Sequence, residues 1–594
     1  MAFGTSQLLR SSRPLRANFC RAPLTHRTLS TLPKLPLFEA LVSHDPNSIA
    51  IRHVESGKKF TYGDLLQQTV FMKEKLLNDA GRDSLDGARV TTLVNNGFQF
   101  ASTVLGIWAA GGVAVPYQTA FPAKEIRYIT RDTKPEFSVF GVEDWKSKQE
   151  KVQEGNSGKC VKSLIGVQTP TPGIVDTTET IELEDSVKPT DPALIIYTSG
   201  TTNLPKGVVS LHKTILAQAT GLQKAWNITK NDHLLHVLPL HHVHGVMAGT
   251  VLPLLAGAQI SYAYPFNAEK IWNRLCNLEY QKGLSPAADS SQINLFMGVP
   301  TIYNRLLEVF HKYPERQSDY TSAASKLRLA ISGSSALPAS VKKAWEKISD
   351  GQVILERYGM TEIGLVLSCG LPVETRIDNS VGKPVPGYTV RLGSLDRSSV
   401  VEGADVPGEI QVKGEGVFDH YWDRPAEVTD KEFTEDGFFC TGDIAHRDSD
   451  GNYYIQGRKN IDLIISGGEN VSALEVEATI LRLFPDVKEV AIVGLPDERW
   501  GEIVAAIVHY DKDYLKAHPE LKGLSLRERL KDSGELAAHK LPVKTTVSKE
   551  MFTRNAMGKI NKKKLKEEFF SNVLGEYEAR ERKRKEEAEK GEGN

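Results

Sequence analysis

Cysteine is scarce, with five in 594 residues, at positions 20, 160, 276, 369 and 440. They are scattered, which excludes a zinc-type cluster and a disulfide-framed secreted scaffold, and points to free thiols in a reducing compartment. Long apolar runs are missing as well. No stretch of about eighteen uncharged apolar residues occurs, so no membrane-spanning helix is expected. A dominant charge is absent: 73 basic and 74 acidic residues leave a net charge of −1, and nothing global draws the chain to nucleic acid or an anionic bilayer. Acids are missing from one end in particular. No Asp or Glu precedes Glu39, while Arg10, Arg13, Arg16, Arg21, Arg27 and Lys34 lie among Ser and Leu. An arginine- and serine-rich, acid-poor segment has the composition of an organelle-import presequence, and a merely disordered tail has no reason to exclude acids. Residues 1–34 are expected to direct the chain to the mitochondrial matrix, with cleavage near residues 26–33.

What is present is a globular composition, 40% hydrophobic and 25% charged, on a chain too long for one core. From about 35 to 455, short apolar runs alternate with amphipathic stretches. Residues 193–197 read as a buried strand entering a Gly/Thr/Pro loop, and 211–226 as a helix. A strand at 293–299 meets Pro300 as the first residue of a helix reaching 313, and a strand at 327–331 runs into Ser-Gly-Ser-Ser and a helix opening at Pro338. Strand, loop and helix in repetition predict a layered α/β architecture with ligands at the loops after strand ends. After Gly457 the texture changes to one amphipathic helix at 472–484, short β-branched strands at 489–493 and 503–509, and a basic stretch, the content of a small α+β domain. The expected organisation is a presequence (1–34), a large domain (35–459), a small mobile domain (460–570) and a charged tail (571–594) that is a frayed helix or disordered. The tail does not end in a peroxisomal tripeptide.

The run Tyr197-Thr198-Ser199-Gly200-Thr201-Thr202-Asn203-Leu204-Pro205-Lys206-Gly207-Val208 carries the most chemistry. Glycines let a backbone approach an anion, four hydroxyls can donate to phosphate oxygens, and Lys206 adds a point charge. It departs from the common P-loop, because Pro205 precedes the lysine and no Ser or Thr follows it. A flexible surface loop would explain the composition but not the strand before it. The run resembles the signature of the adenylate-forming synthetases, with Asn203 where they usually carry Gly. Asn is the next most tolerant residue of positive φ.

The resemblance extends from about residue 35 to 570 with the signature blocks in order, and it implies roles for residues that alone read as turns. Glu356-Arg357-Tyr358-Gly359-Met360-Thr361-Glu362 would supply an aromatic face for adenine (Tyr358), a hydroxyl for the α-phosphate (Thr361) and a carboxylate for Mg²⁺ (Glu362, with Thr201). Gly333-Ser334-Ser335 would lie on the other face of adenine. Asp443 would take the ribose hydroxyls and Arg458 a second ribose and phosphate contact. Asn460 stands at the family's pivot, where relatives usually carry Asp or Lys. Lys559, otherwise one lysine of a basic surface run, would swing in for adenylation, and Gly467 and Gly468 would line a coenzyme A channel.

Three imidazoles in four residues (His241, His242, His244) tempt a metal reading. No acid or cysteine stands near them, and adjacent histidines on a helix or strand point apart, so no metal site is expected there. By resemblance His242 closes the acyl pocket. Several blocks look closest to malonyl-CoA synthetases. A short diacid needs a cation for its second carboxylate, because burying that charge unpaired is prohibitive, and Arg305 in the helix from Pro300 is the candidate. The resemblance thus implies ATP, Mg²⁺, coenzyme A and a small carboxylate as partners, with malonate or methylmalonate as the acid. A medium- or long-chain fatty acyl-CoA synthetase is the rival enzyme, and a non-catalytic nucleotide-binding scaffold, free to lose Lys559 or Glu362, is the rival of another class.

Overall fold

The computed structural model describes residues 30–117, 123–141, 163–167, 172, 181–198, 205–277, 292–459, 462–467, 469–519, 525–554 and 560–591. Among these, seven strands form one sheet and thirteen another, in the layered α/β arrangement expected of the large domain. The seven-stranded sheet runs His420–Tyr421, Gly207–Leu211, Pro192–Tyr197, Val113–Pro116, Arg89–Leu93, Phe137–Gly141, Ser163–Val167. One apolar core, from Leu32 to Val385, contains side chains of both sheets and the helices between them, including the fully buried Trp108, Trp226, Trp272 and Trp345. Helix starts follow local chemistry. Thr61 and Asp64 form a capping box before Tyr62–Ala80, and Pro300 opens Pro300–Lys312, where its missing N–H costs nothing.

The thirteen-stranded sheet sets the site. Its parallel half pairs Gln259–Tyr262, His233–His236, Leu295–Gly298, Leu329–Ser332 and Leu355–Met360 in that order. All four residues of Leu329–Ser332 are buried, as a strand covered on both faces requires. Because these strands are parallel, the turns after His236, Gly298 and Ser332 gather at one sheet end. The same sheet then continues antiparallel through Gly364–Ser368, Ser380–Pro384, Tyr453–Arg458, Phe439–Arg447, Gly408–Gly414 and Tyr388–Gly393. This second half sets Asp443 directly opposite Arg458.

The chain leaves that sheet after Arg458 and enters a five-stranded one at Leu463. Here the long strands Val487–Asp497 and Gly501–Tyr510 alternate by two. Val490, Ile492, Val504, Ala506 and Val508 face the helix Ala473–Leu483, and Ala491, Val493, Leu495, Ile503 and Ile507 face Phe552, Leu565 and Phe570. Ser472 caps the first of these helices, its hydroxyl accepting from the Glu475 N–H. Of the two states expected of the charged tail, the structure has the helix: it runs from Lys562 to Gly591, broken at Phe570 (φ −128°, ψ 22°). Leu565 and Phe570 anchor its first turns in the small-domain core, and Arg, Lys and Glu beyond them are strong helix formers.

Candidate active site

Three strand-end segments converge at the carboxyl end of the parallel strands. On one side, Asp443, mostly buried, accepts a hydrogen bond from the Tyr358 hydroxyl at 2.6 Å and one from Arg458 Nε at 3.0 Å. Its own N–H donates to Thr441 Oγ1 at 3.1 Å, and the Gly442 N–H donates to the buried Glu409 at 2.9 Å, so the Thr-Gly-Asp turn is held from behind. Arg458 is kept firmly protonated, first by the charge of Asp443. Gly359 packs so closely on the next strand that a β-carbon would stand 2.0 Å from the Gly364 carbonyl, which is why this turn demands glycine.

The phosphate-loop side meets the same cleft. The Thr198 N–H donates to the Lys206 carbonyl at 2.9 Å, and the Lys206 N–H to Thr198 Oγ1 at 3.3 Å, closing the mouth of the loop. Behind it, the Tyr197 hydroxyl donates to Asp132 at 2.7 Å, and Arg424 pairs with the same carboxylate at 2.8 Å. The Lys206 ammonium lies 4.4 Å over the Tyr421 ring, whose hydroxyl donates to Glu362 Oε1 at 3.1 Å. Burial pushes the Glu362 carboxyl upward, opposed by that hydrogen bond and by the charges of Arg458 and Lys206. Thr361, half-buried, precedes it in the turn. Among the described residues no group of three or more His, Cys, Asp or Glu is arranged to hold a metal. A carboxylate close to a lysine suits a hard cation that draws its remaining ligands from phosphate oxygens and water. The residues present therefore fit Mg²⁺ bound together with a nucleotide.

The third segment carries the histidines. His241 and His242 sit on a turn, and His244 is the first residue of the π-helix that follows, His244–Val251. The strand and helix geometry expected of neighbouring histidines does not apply on a turn, and the His241 and His242 rings meet at 3.9 Å instead of pointing apart. Burial and the neighbouring His242 lower the His241 pKa to about 2. His244 Nδ1 accepts from Arg357 Nη2 at 2.6 Å, and burial with the Arg357 charge holds its ring neutral. Arg357 also donates to Ser334 Oγ at 3.1 Å, which joins the loop after Leu329–Ser332 to the π-helix. Met360 packs with Tyr358 against the antiparallel core.

Two site expectations need correction. Arg305 is exposed on Pro300–Lys312, whose buried face is Ile302, Tyr303, Leu306, Leu307 and Phe310, and it makes no hydrogen bond or ion pair among the described residues. The desolvated guanidinium anticipated there is absent, because helical periodicity turns position 305 away from the core. Glu356 offers no free side chain to a nucleotide: its buried carboxylate takes the Lys342 ammonium at 2.9 Å, and burial pushes it up to about 7. Strand alternation sends it to the face opposite Arg357. Gly467 (φ 61°) lies against the Trp500 ring. Ser199, Gly200, Thr201, Thr202, Asn460, Gly468 and Lys559 lie outside the described residues. Tyr421, which links Lys206 to Glu362, escaped the sequence reading; its only signal was an aromatic pair before an Asp-Arg-Pro turn.

The chain's residues 38–422 match the family model described as AMP-binding enzyme, and residues 475–559 match the AMP-binding enzyme C-terminal domain. The chain belongs to the AMP-binding enzymes. This AMP-binding enzyme is 38% identical over 585 residues to a CoA ligase of Gibberella moniliformis, covering 91% of this chain and 96% of that protein. A malonate–CoA ligase of Arabidopsis thaliana is 37% identical (90% and 88% covered), and a mitochondrial malonate–CoA ligase of Bos taurus is 36% identical (89% of each). The solved structure of ATP-bound MatB from Rhodopseudomonas palustris superposes with a TM-score of 0.74 at 28% identity, covering 91% of this chain and 99% of that one. Within the AMP-binding enzymes, this chain is an acyl-CoA ligase.

Proposed function

We propose that this ligase joins malonate to coenzyme A through an acyl-adenylate, in mitochondria. The observation that carries the acid is that relatives similar over about nine tenths of the chain, from a plant and a mammal, are malonate–CoA ligases; the mammalian one is mitochondrial. In the first half-reaction a carboxylate oxygen attacks the α-phosphorus of ATP, and pyrophosphate leaves with the electrons of the broken P–O bond. Lys206 and the hydroxyl loop (Thr198, Ser199, Gly200, Thr201, Thr202) hold the departing phosphates. Adenine lies between Tyr358 and the 333–335 loop, and the ribose hydroxyls donate to Asp443, with Arg458 beside them. Glu362, with Thr201, would hold Mg²⁺, whose chemistry here is neutralisation of phosphate charge. Thr361 bonds the α-phosphate and Lys559 bridges acyl and phosphate oxygens, so catalysis is positioning and charge stabilisation without a covalent enzyme intermediate.

In the second half-reaction the small domain, residues 460–570, turns about Asn460 and withdraws Lys559. The coenzyme A thiol enters past Gly467 and Gly468, with His242 closing the acyl pocket. Sulfur attacks the acyl carbonyl, the C–O bond to phosphate breaks, and AMP leaves. A pyrophosphate-release screen across acetate, malonate, methylmalonate, octanoate and palmitate tests the reading. Malonate should give the highest kcat/KM, with methylmalonate next; octanoate or palmitate exceeding both would overturn it.

A further inference from the structure

One carboxylate outside the cleft grips the phosphate loop from behind. Asp132 lies in the last turn of the helix Ala123–Thr133, whose Ile126 and Ile129 are buried with Ile195 and Val209, on the strands either side of that loop. Both of its oxygens are committed to the protein: Oδ2 accepts from the Tyr197 hydroxyl at 2.7 Å and Oδ1 from Arg424 Nη2 at 2.8 Å. The pair is mostly buried, with side chains 12% and 25% exposed. One turn back on the helix, the Tyr128 hydroxyl donates to the Pro205 carbonyl at 2.7 Å. The helix therefore holds the residue before Thr198 and the residue before Lys206, the two described ends of the loop.

Arg424 extends the grip to a second segment. It stands three residues past Tyr421, whose ring lies 4.4 Å from the Lys206 ammonium and whose hydroxyl donates to Glu362. The strand His420–Tyr421 is only two residues long and sits at the sheet's edge, paired with Val208 and Val209. Backbone pairing that short fixes Tyr421 weakly, and the Asp132–Arg424 pair is a further anchor.

For stability alone, a largely buried ion pair does no better than apolar packing. What it adds is direction, because charge-assisted hydrogen bonds fix the groups at both ends. We propose that Asp132 is a positioning residue for the adenylation step: through Tyr197 and Arg424 it sets Lys206 and Tyr421 where the departing phosphates must be met. This rests on the proposed adenylation. Pyrophosphate is gone once the adenylate has formed, so a displaced Lys206 slows the first half-reaction and spares the second. A brace that served shape alone would disturb both, since the AMP moiety occupies the same cleft in each.

The test compares malonate-dependent ATP–pyrophosphate exchange with thioester formation from pre-made malonyl-adenylate. The full chain carries Asp132→Ala, Asp132→Asn, Lys206→Met or Asp132→Ala/Lys206→Met. A misplacement of about 1 Å costs about a hundredfold, so Asp132→Ala should slow exchange by about that factor. Asp132→Asn, which keeps an acceptor for Tyr197 and loses the charge facing Arg424, should slow it about tenfold. Thioester formation should stay within about twofold of wild type in both. Because Asp132 acts through Lys206, adding Asp132→Ala to Lys206→Met should cost less than about twofold more. A loss of both half-reactions in a folded variant, or the full loss repeated on top of Lys206→Met, overturns the assignment. If circular dichroism shows Asp132→Ala misfolded, Asp132→Asn decides: a loss of about tenfold confined to exchange supports the assignment, and no change overturns it. A wild type with no malonate-dependent exchange refutes the proposed function and this assignment with it, whereas exchange that ignores position 132 refutes this assignment alone.

Discussion

His236 gives a sharp stability test, because its charge state is set by the packing on every side. Nε2–H donates to the Gly245 carbonyl at 3.0 Å, and Nδ1 accepts the Leu238 N–H at 3.2 Å, so the buried ring is neutral in one tautomer. Burial holds its pKa at about 4 against an ordinary 6.5. A folded-state pKa below the unfolded one means the unfolded chain binds the extra proton. The ring's contribution is therefore fully present above about pH 6.5 and is withdrawn as the pH falls toward about 4. At about 1.4 kcal/mol per pKa unit the whole effect is about 3 kcal/mol, of which about 2 kcal/mol is lost by pH 5. His236→Asn removes the titration and can keep an acceptor for Leu238, while the Gly245 carbonyl retains the Thr250 hydroxyl at 3.1 Å. Urea unfolding, followed by the fluorescence of the buried large-domain tryptophans, should be run for both proteins at pH 7.5, 6 and 5. Wild type should lose about 2 kcal/mol more than the variant between pH 7.5 and 5. His53 and His212, also held near 4 by burial, add acid sensitivity common to both proteins. Parallel pH profiles for wild type and variant would refute the reasoning.

Lys342→Met should cost about 3–5 kcal/mol, because it strands the buried Glu356, and Lys342→Met/Glu356→Gln should recover most of it; the check is a urea midpoint for each, and no recovery would mean the pair matters for shape and not charge. Lys559→Ala should abolish malonate-dependent ATP–pyrophosphate exchange and spare thioester formation from pre-made malonyl-adenylate, and an equal loss of both steps in a folded protein would contradict a swinging lysine. Residues 1–35 fused to a fluorescent reporter should carry it into mitochondria, and Arg10, Arg13 and Arg16 changed to Glu should stop import. A reporter that stays cytosolic would defeat that assignment.

Much of the fold could be read because its signals are local. Pro300 at a helix start, the mostly apolar run 327–331 before Ser332 and the Ser472 cap each declare an element without reference to the rest of the chain. Tyr358, Glu362, Asp443 and Arg458 stood out for a different reason: they lie in recognisable blocks, and in the fold strand pairing sets Asp443 opposite Arg458 while the Tyr358 hydroxyl bonds Asp443. What stayed hidden depends on which way a side chain turns. Arg305 and Arg357 are both arginines in promising runs. Only the packing of Pro300–Lys312 sends the first to solvent, and only strand alternation buries the second beside His244. Tyr421 was invisible for the same cause, since its contact to Glu362 spans 59 residues. The histidine pair misled because a rule for regular elements was applied to a turn.

The continuous thirteen-stranded sheet has a consequence for how such a protein can diverge. Asp443 and Arg458 stand opposite each other on paired strands, so their mutual spacing is inherited from backbone pairing, while Tyr358, separated from them by two strands of the same sheet, reaches Asp443 only through its hydroxyl. The helix Pro300–Lys312 and the π-helix His244–Val251 hang from the parallel end of that sheet and add no strand to it. Changes in those two appendages can therefore accumulate while the pairing of Asp443 with Arg458 stays in register.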